Sequence, residues 1–197
     1  TGVRPAKLAI DSLTRGKSKQ EVRSFLAREY LVNPKKAALV TDIAETEKRI
    51  LSGVDKRSCS LYISIPFCPS RCSYCSFVSF TSAKLLGLLD SYLVRLCQDI
   101  ENIAGIIKHL GLSVSTVYIG GGTPTTLDEK QLEQLLKTLT SLVDPDSLQE
   151  FTLEAGRPDT VNEEKLKIMK AYGVSRVSIN TQTLNCLLYT SDAADDK

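Results

Sequence analysis

The sequence predicts an α/β fold in which a helical N-terminal segment precedes βα units that build a parallel sheet. Three observations carry this. After Lys56 the apolar period changes from three- and four-residue intervals to alternation and back, and four short strand-like runs are separated by amphipathic stretches long enough to cross over a sheet. The third observation is positional. Cysteines, glycines and short polar clusters gather just after the strand-like runs, where parallel sheets hold their ligands.

Each element follows in order. "PAKLAIDSL" (5–13), "SKQEVRSFLAREYL" (18–31) and "PKKAALVTDIAETEKRIL" (34–51) carry helical periodicity. Ser18 with Glu21 forms a capping box, Pro34 sits in a first turn, and Gly53 is placed to stop the third helix. The strand "SLYISI" (60–65) follows, then one long helix over 83–110 ended by Gly111, then the strand "STVYI" (115–119). A helix over 128–142 presents Leu132, Leu135, Leu136, Leu139 and Leu142 on one face, and "EFTLEA" (150–155) is the third strand. Thr160 with Glu163 is expected to cap a helix that ends at Gly173, before the strand "VSRVSIN" (174–180).

Composition bounds the function. With 42% hydrophobic and 24% charged residues the 197-residue chain can bury a core and is not of the disordered class. The 25 basic and 23 acidic residues are scattered, so no basic stripe points to nucleic acid or an anionic membrane surface. No apolar run reaches the roughly 18–20 residues that span a bilayer and no secretory leader opens the chain, so the cytoplasm is the expected compartment. The start at "TGVRP", with Met169 the only methionine, reads as the interior of a longer protein. The closing "CLLYTSDAADDK" (186–197) resembles the translation of a transposase-based sequencing adapter and is set aside. The expected organisation is therefore a helical segment over 1–57, the first four βα units over 58–185, and an adapter remnant over 186–197.

Cys68, Cys72 and Cys75 stand at C-x3-C-x2-C directly after the first strand. Structural zinc calls for four ligands, and His109, the only histidine, suits the C-terminal charge of its helix better. A disulfide framework belongs to small secreted chains. Cys59 and Cys97 read as small buried hydrophobes. Thiolates also hold iron-sulfur clusters, and three of them on a four-iron cluster leave one iron open to a chelating substrate.

At this point the residues resemble a known family. A C-x3-C-x2-C motif after the first strand of a βα array is similar to the signature of radical S-adenosylmethionine enzymes. More narrowly, "LYISIPFCPSRCSYC", "VYIGGGTPTTL", "EFTLEAGRPDT" and "RVSINTQ" resemble, in that order, the oxygen-independent coproporphyrinogen III dehydrogenases (oxidases), in the Firmicute-type branch with an extra N-terminal region. The resemblance implies the N-terminal part of a parallel (β/α) radical S-adenosylmethionine barrel, truncated after four units and not expected to turn over alone. It implies that Cys68, Cys72 and Cys75 bind a 4Fe-4S cluster whose open iron takes the amino and carboxylate groups of S-adenosylmethionine. Gly121, Gly122 and Thr123 would receive the methionine end, Glu154 its charged or ribose end, and Gln182 the ribose. Tyr74 would cover the adenine, Tyr62 would lie near the cluster, and Arg71 could offset the cluster's charge.

The implied reaction is reductive cleavage of S-adenosylmethionine, followed by hydrogen abstraction from, and decarboxylation of, two propionates of coproporphyrinogen III, giving protoporphyrinogen IX in heme biosynthesis. Its implied partners are that porphyrinogen and a reductase, flavodoxin or ferredoxin as electron donor, with neither nucleic acid nor membrane. One position departs from the dehydrogenase pattern. Phe77 stands where those enzymes carry a further cysteine, and phenylalanine there is similar to the related heme chaperones; a radical enzyme with another substrate would keep every cofactor residue.

Overall fold

The computed structural model describes residues 5–72, 75–77 and 79–179. The chain divides into two compact units at the Lys56–Arg57 bond. Among the described residues no helix is long and apolar enough to cross a membrane.

The first unit is a group of three helices, α1 (Pro5–Thr14), α2 (Lys19–Glu29) and α3 (Pro34–Leu51). Their apolar stripes meet in a small core of Ala9, Leu13, Val22, Leu26, Ala37 and Ala44. The expected capping box at Ser18 and Glu21 is present in both directions. The second helix stops short of the expected Leu31 because that residue turns left-handed, with φ 51°, and Asn33 then caps α3 by accepting from the amide of Lys35. α3 ends at Leu51, with Ser52 as its cap and Gly53 just beyond.

The second unit is built on a four-stranded sheet of β1 (Ser58–Ile65), β2 (Ser113–Gly121), β3 (Glu150–Glu154) and β4 (Arg176–Ser178), parallel throughout and in the spatial order β1-β2-β3-β4. Sequential order with right-handed crossovers lays every connecting helix on the same face, which is the winding of a barrel and not of a doubly wound sheet. The helices are α4 (Ala83–Leu86) and α5 (Leu89–His109) before β2, α6 (Glu129–Leu142) before β3, and α7 (Glu163–Ala171) before β4. Ile63, Ile65, Val117, Ile119, Phe151 and Leu153 point toward them and join Leu93, Leu132, Leu135, Leu136, Leu139 and Met169 in the main core. Strand alternation sends Tyr62, Ser64, Tyr118, Thr152 and Glu154 to the opposite face.

Three expectations need correction. The single helix over 83–110 is two, because the chain breaks at Gly87 and Leu88 and the short first piece has its own cap, Ser82. Leu142, in the last turn of α6, is exposed and not part of the buried leucine face. Thr160 does not cap α7; Asn162 does, accepting from the Lys165 amide at 2.9 Å.

Thr160 is engaged elsewhere. Its hydroxyl lies 2.7 Å from that of Thr125, and it also donates to the carbonyl of Arg157 at 2.9 Å. Lys165, 8% exposed, donates from Nζ to the carbonyls of Thr125 and Thr160 at 2.8 and 2.9 Å. This buried ammonium ties the turn after β2 to the turn after β3. Lys165→Met, similar in size but without donors, leaves both carbonyls unpartnered and is expected to cost about 1.5–3 kcal/mol. A lower urea midpoint at unchanged slope checks it, and an unchanged midpoint contradicts it.

Candidate functional site

The cysteine loop begins where β1 ends and is closed at its neck. Phe67 and Phe80 form an isolated parallel bridge, the Phe80 amide donates to the Pro66 carbonyl at 2.7 Å, and the Cys68 amide donates to the Phe80 carbonyl at 3.2 Å. The Phe67 ring meets Phe80 and Tyr92 edge-on, and the Tyr92 hydroxyl donates to the Ser64 carbonyl at 2.6 Å. Within the loop the Cys75 amide donates to the Cys72 carbonyl at 3.0 Å, which sets these two cysteines close together.

The glycine run after β2 lies against that neck. The Gly122 amide donates to the Ile65 carbonyl at 2.8 Å and the Thr123 amide to the Phe67 carbonyl at 2.9 Å. Gly121 has φ 116°, a region that side chains other than hydrogen disfavour. A Cβ on Gly122 would sit 2.8 Å from the Phe67 carbonyl oxygen and 2.9 Å from Cys68 Sγ. The missing side chain is therefore the room in which Cys68 lies. Thr123, buried, places Oγ1 3.3 Å from the same sulfur.

β3 brings Glu154 to its end, half-buried, where its carboxylate accepts from the hydroxyl of Tyr118 on β2. A Cβ on Gly120 would stand 3.0 Å from Glu154 Oε2, so this glycine too makes space for a site residue. Burial, then the hydrogen bond to Glu154 and the charges around it, push the Tyr118 phenol up to about 12. It is a neutral donor at any physiological pH.

Cys68, Cys72, Cys75, Gly121, Gly122, Thr123 and Glu154 line one cavity of about 280 Å³ at the carboxyl ends of β1, β2 and β3. Arg71 and Phe77, both exposed, line it as well. Tyr62 does not: it is 65% exposed, on the face opposite the helical layer, with its ring stacked on Tyr118 at 5.8 Å. Tyr74, Asn180 and Gln182 lie outside the described residues.

Sequence reasoning missed Arg157. Buried behind the cysteine loop, it donates from Nε and Nη2 to both carboxylate oxygens of Asp159, at 3.0 and 2.6 Å. Nη1 reaches Cys72 Sγ at 3.5 Å and the Ser70 carbonyl at 3.4 Å. The hydrogen bond from Arg157 holds the Asp159 carboxyl below the usual aspartate range. The "GRPD" segment after the third strand marked the place, although its arginine could not be aimed at a cysteine 85 residues away without the fold.

The donor set fits an iron-sulfur cluster. Among the described residues no three His, Cys, Asp or Glu side chains form a group that could hold a metal ion. A four-iron cluster spreads three thiolates over three irons, so it requires cysteines around a cavity, the arrangement found for Cys68, Cys72 and Cys75. Two buried hydroxyls on the cavity's lining residues, Ser70 Oγ and Ser79 Oγ, have no hydrogen-bond partner among the described residues.

Comparison with known proteins agrees with the geometry. The radical SAM superfamily profile matches residues 62–190. An oxygen-independent coproporphyrinogen-III oxidase-like protein, HemZ, of Bacillus subtilis is 36% identical over 186 residues, covering 93% of this chain and 37% of the relative. The heme chaperone HemW of the same organism is 42% identical over 125 residues, 63% of this chain and 32% of the relative. Among solved structures, the coproporphyrinogen III oxidase HemN of Escherichia coli, described as a radical SAM enzyme, aligns with TM-score 0.54 and 29% identity over 71% of this chain and 32% of that one. The chain thus spans about a third of the length of these relatives. A family match across most of the second unit, on a parallel sheet that carries its three cysteines to one cavity, shows that this chain belongs to the radical SAM superfamily, in its coproporphyrinogen oxidase-like family.

Proposed function

We propose that the full-length protein binds a 4Fe-4S cluster and S-adenosylmethionine and oxidatively decarboxylates coproporphyrinogen III to protoporphyrinogen IX in the cytoplasm. The observation that carries the reading is the single cavity lined by the three thiols, the glycine turn and Glu154. Its substrate is suggested by the similarity to HemZ across both units and to the HemN structure.

Cys68, Cys72 and Cys75 hold the cluster, and Gly121, Gly122 and Thr123 give backbone approach to the methionine end of the cofactor. Glu154, oriented by the neutral Tyr118 hydroxyl, accepts from the cofactor's amino or ribose donors, while Tyr74 and Gln182 serve its adenine and ribose. When bound, the pair supplies one-electron reductive cleavage of the sulfonium and, through it, hydrogen abstraction from an unactivated carbon. The protein orients the two and excludes water at the barrel mouth. Each of two propionates then loses a hydrogen atom to the cofactor-derived radical, carbon dioxide, and one electron to an external one-electron acceptor, and becomes a vinyl group. A flavodoxin, ferredoxin or reductase supplies the electron that starts each event.

The test is anaerobic incubation of the reduced full-length protein with S-adenosylmethionine and coproporphyrinogen III, read by mass spectrometry. 5'-Deoxyadenosine together with decarboxylated porphyrin is the expected result. Deoxyadenosine without porphyrin change keeps the radical enzyme and rejects the substrate.

A second reading is heme transfer. It rests on Phe77, exposed on the cavity wall where the dehydrogenases carry cysteine, and on the similarity to HemW proteins. Tight heme binding by a protein with an intact cluster and neither product favours this reading.

A further inference from the structure

We infer that Arg157, held in place by Asp159, is a positioning residue that sets the reduction potential of the cluster through a hydrogen bond to the Cys72 sulfur. The inference rests on the reading that Cys68, Cys72 and Cys75 hold a cluster, and it assigns a role to two residues outside that ligand set.

The geometry divides the guanidinium into two jobs. Nε and Nη2 form a paired contact with Asp159, at 3.0 and 2.6 Å, which fixes the plane of the group. Nη1 is left facing the loop, 3.5 Å from Cys72 Sγ and 3.4 Å from the Ser70 carbonyl. The side chain is only 9% exposed, so its charge is poorly screened. Pro158 opens a short 3-10 turn, Pro158–Thr160, that sets Asp159 two residues from Arg157, and Thr160 donates to the Arg157 carbonyl. Lys165 holds this turn from below. The arginine is therefore anchored at its backbone and at its far end, with one face presented to sulfur. The hydrogen bond to Asp159 raises the affinity of the guanidinium for its proton, so the group stays charged.

An N–H donated to a cluster thiolate and a nearby fixed positive charge both favour the reduced form, whose charge is more negative by one. One electron from the reductant enters the cluster, and no bond to the protein forms or breaks. Arg157 is thus expected to ease reduction, and Asp159, which partly neutralises it, to oppose it. Asp159 has a negative charge of its own that Asn lacks, so its removal acts in the same direction.

The test is a redox titration of the reconstituted full-length protein, followed by electron paramagnetic resonance, with bound iron measured in each sample. Arg157→Met is expected to keep iron and lower the equilibrium ratio of reduced to oxidised cluster at a fixed poise about tenfold, equivalent to about 59 mV for one electron. Asp159→Asn keeps one acceptor oxygen that holds the guanidinium in place while removing the negative charge that partly neutralises it, and is therefore expected to move the ratio the other way. Two shifts of opposite sign support the assignment, since a merely structural pair would disturb the loop in one direction only. If Arg157→Met loses its iron, Asp159→Asn decides alone. An iron-loaded Asp159→Asn protein with an unmoved or lowered potential overturns the inference. Absence of a cluster from the unsubstituted protein overturns the cluster reading itself, whereas a normal cluster indifferent to both substitutions overturns only this inference.

Discussion

Cys72→Ala in the full-length protein is expected to abolish bound iron and the broad visible absorption of the cluster, and 5'-deoxyadenosine formation with them. A cluster tied by three thiolates has no spare ligand, and among the described residues no histidine lines the cavity to replace one. Cys72 is only partly buried, in a loop whose neck is closed by other residues, so its removal should change folding stability by less than about 1 kcal/mol. Cys97→Ala is the contrasting control. That thiol is buried in α5 among core residues and should lose stability while keeping its iron. Iron and deoxyadenosine retained by the Cys72 variant would contradict the assignment.

Gly122→Ala should be nearly as severe, for a different reason. The added methyl group meets two backbone carbonyls, of Phe67 at 2.8 Å and Ile65 at 3.2 Å, and the Cys68 sulfur at 2.9 Å. None of these is the free end of a flexible chain. Relief requires either losing the hydrogen bond from Gly122 to Ile65 or pushing Cys68 out of place, at a cost of about 2–4 kcal/mol. Lower thermal stability together with poor cluster incorporation is the expected outcome, and normal incorporation would show that the close approach is not needed. Gly120→Ala makes a useful comparison. Its nearest neighbours are the side-chain ends of Tyr118 and Glu154, which can move. It should keep the cluster while weakening S-adenosylmethionine binding, because Glu154 is what gives way.

The elements legible in the sequence were those whose signal is local. Strand alternation, the cysteine spacing and the glycine run each announce themselves within a dozen residues, and winding order follows from their alternation with helices. The break at Gly87 was hidden because apolar residues continue across it. Thr160 misled because a better cap, Asn162, lies two residues on, while the threonine hydroxyl has a partner 35 residues away. Arg157, Lys165 and Tyr118 depend on contacts 85, 40 and 36 residues distant, which no periodicity encodes. Tyr62 shares the open face with Glu154, but it stands beside Tyr118, three residues before β1 ends, and so lies below the cavity at the strand ends.

The bridge between Phe67 and Phe80 has a bearing on the order of assembly. A flexible segment loses conformational freedom when its ends are joined, and that loss must be met either during folding or when a ligand arrives. Here the joining uses backbone hydrogen bonds and aromatic contacts made by the polypeptide alone, so the two ends of the cysteine segment are held together without iron. Inorganic cofactor can then be delivered late, to a segment whose neck is already closed, and withdrawal of iron under oxidative damage should leave that neck closed and ready to be reloaded.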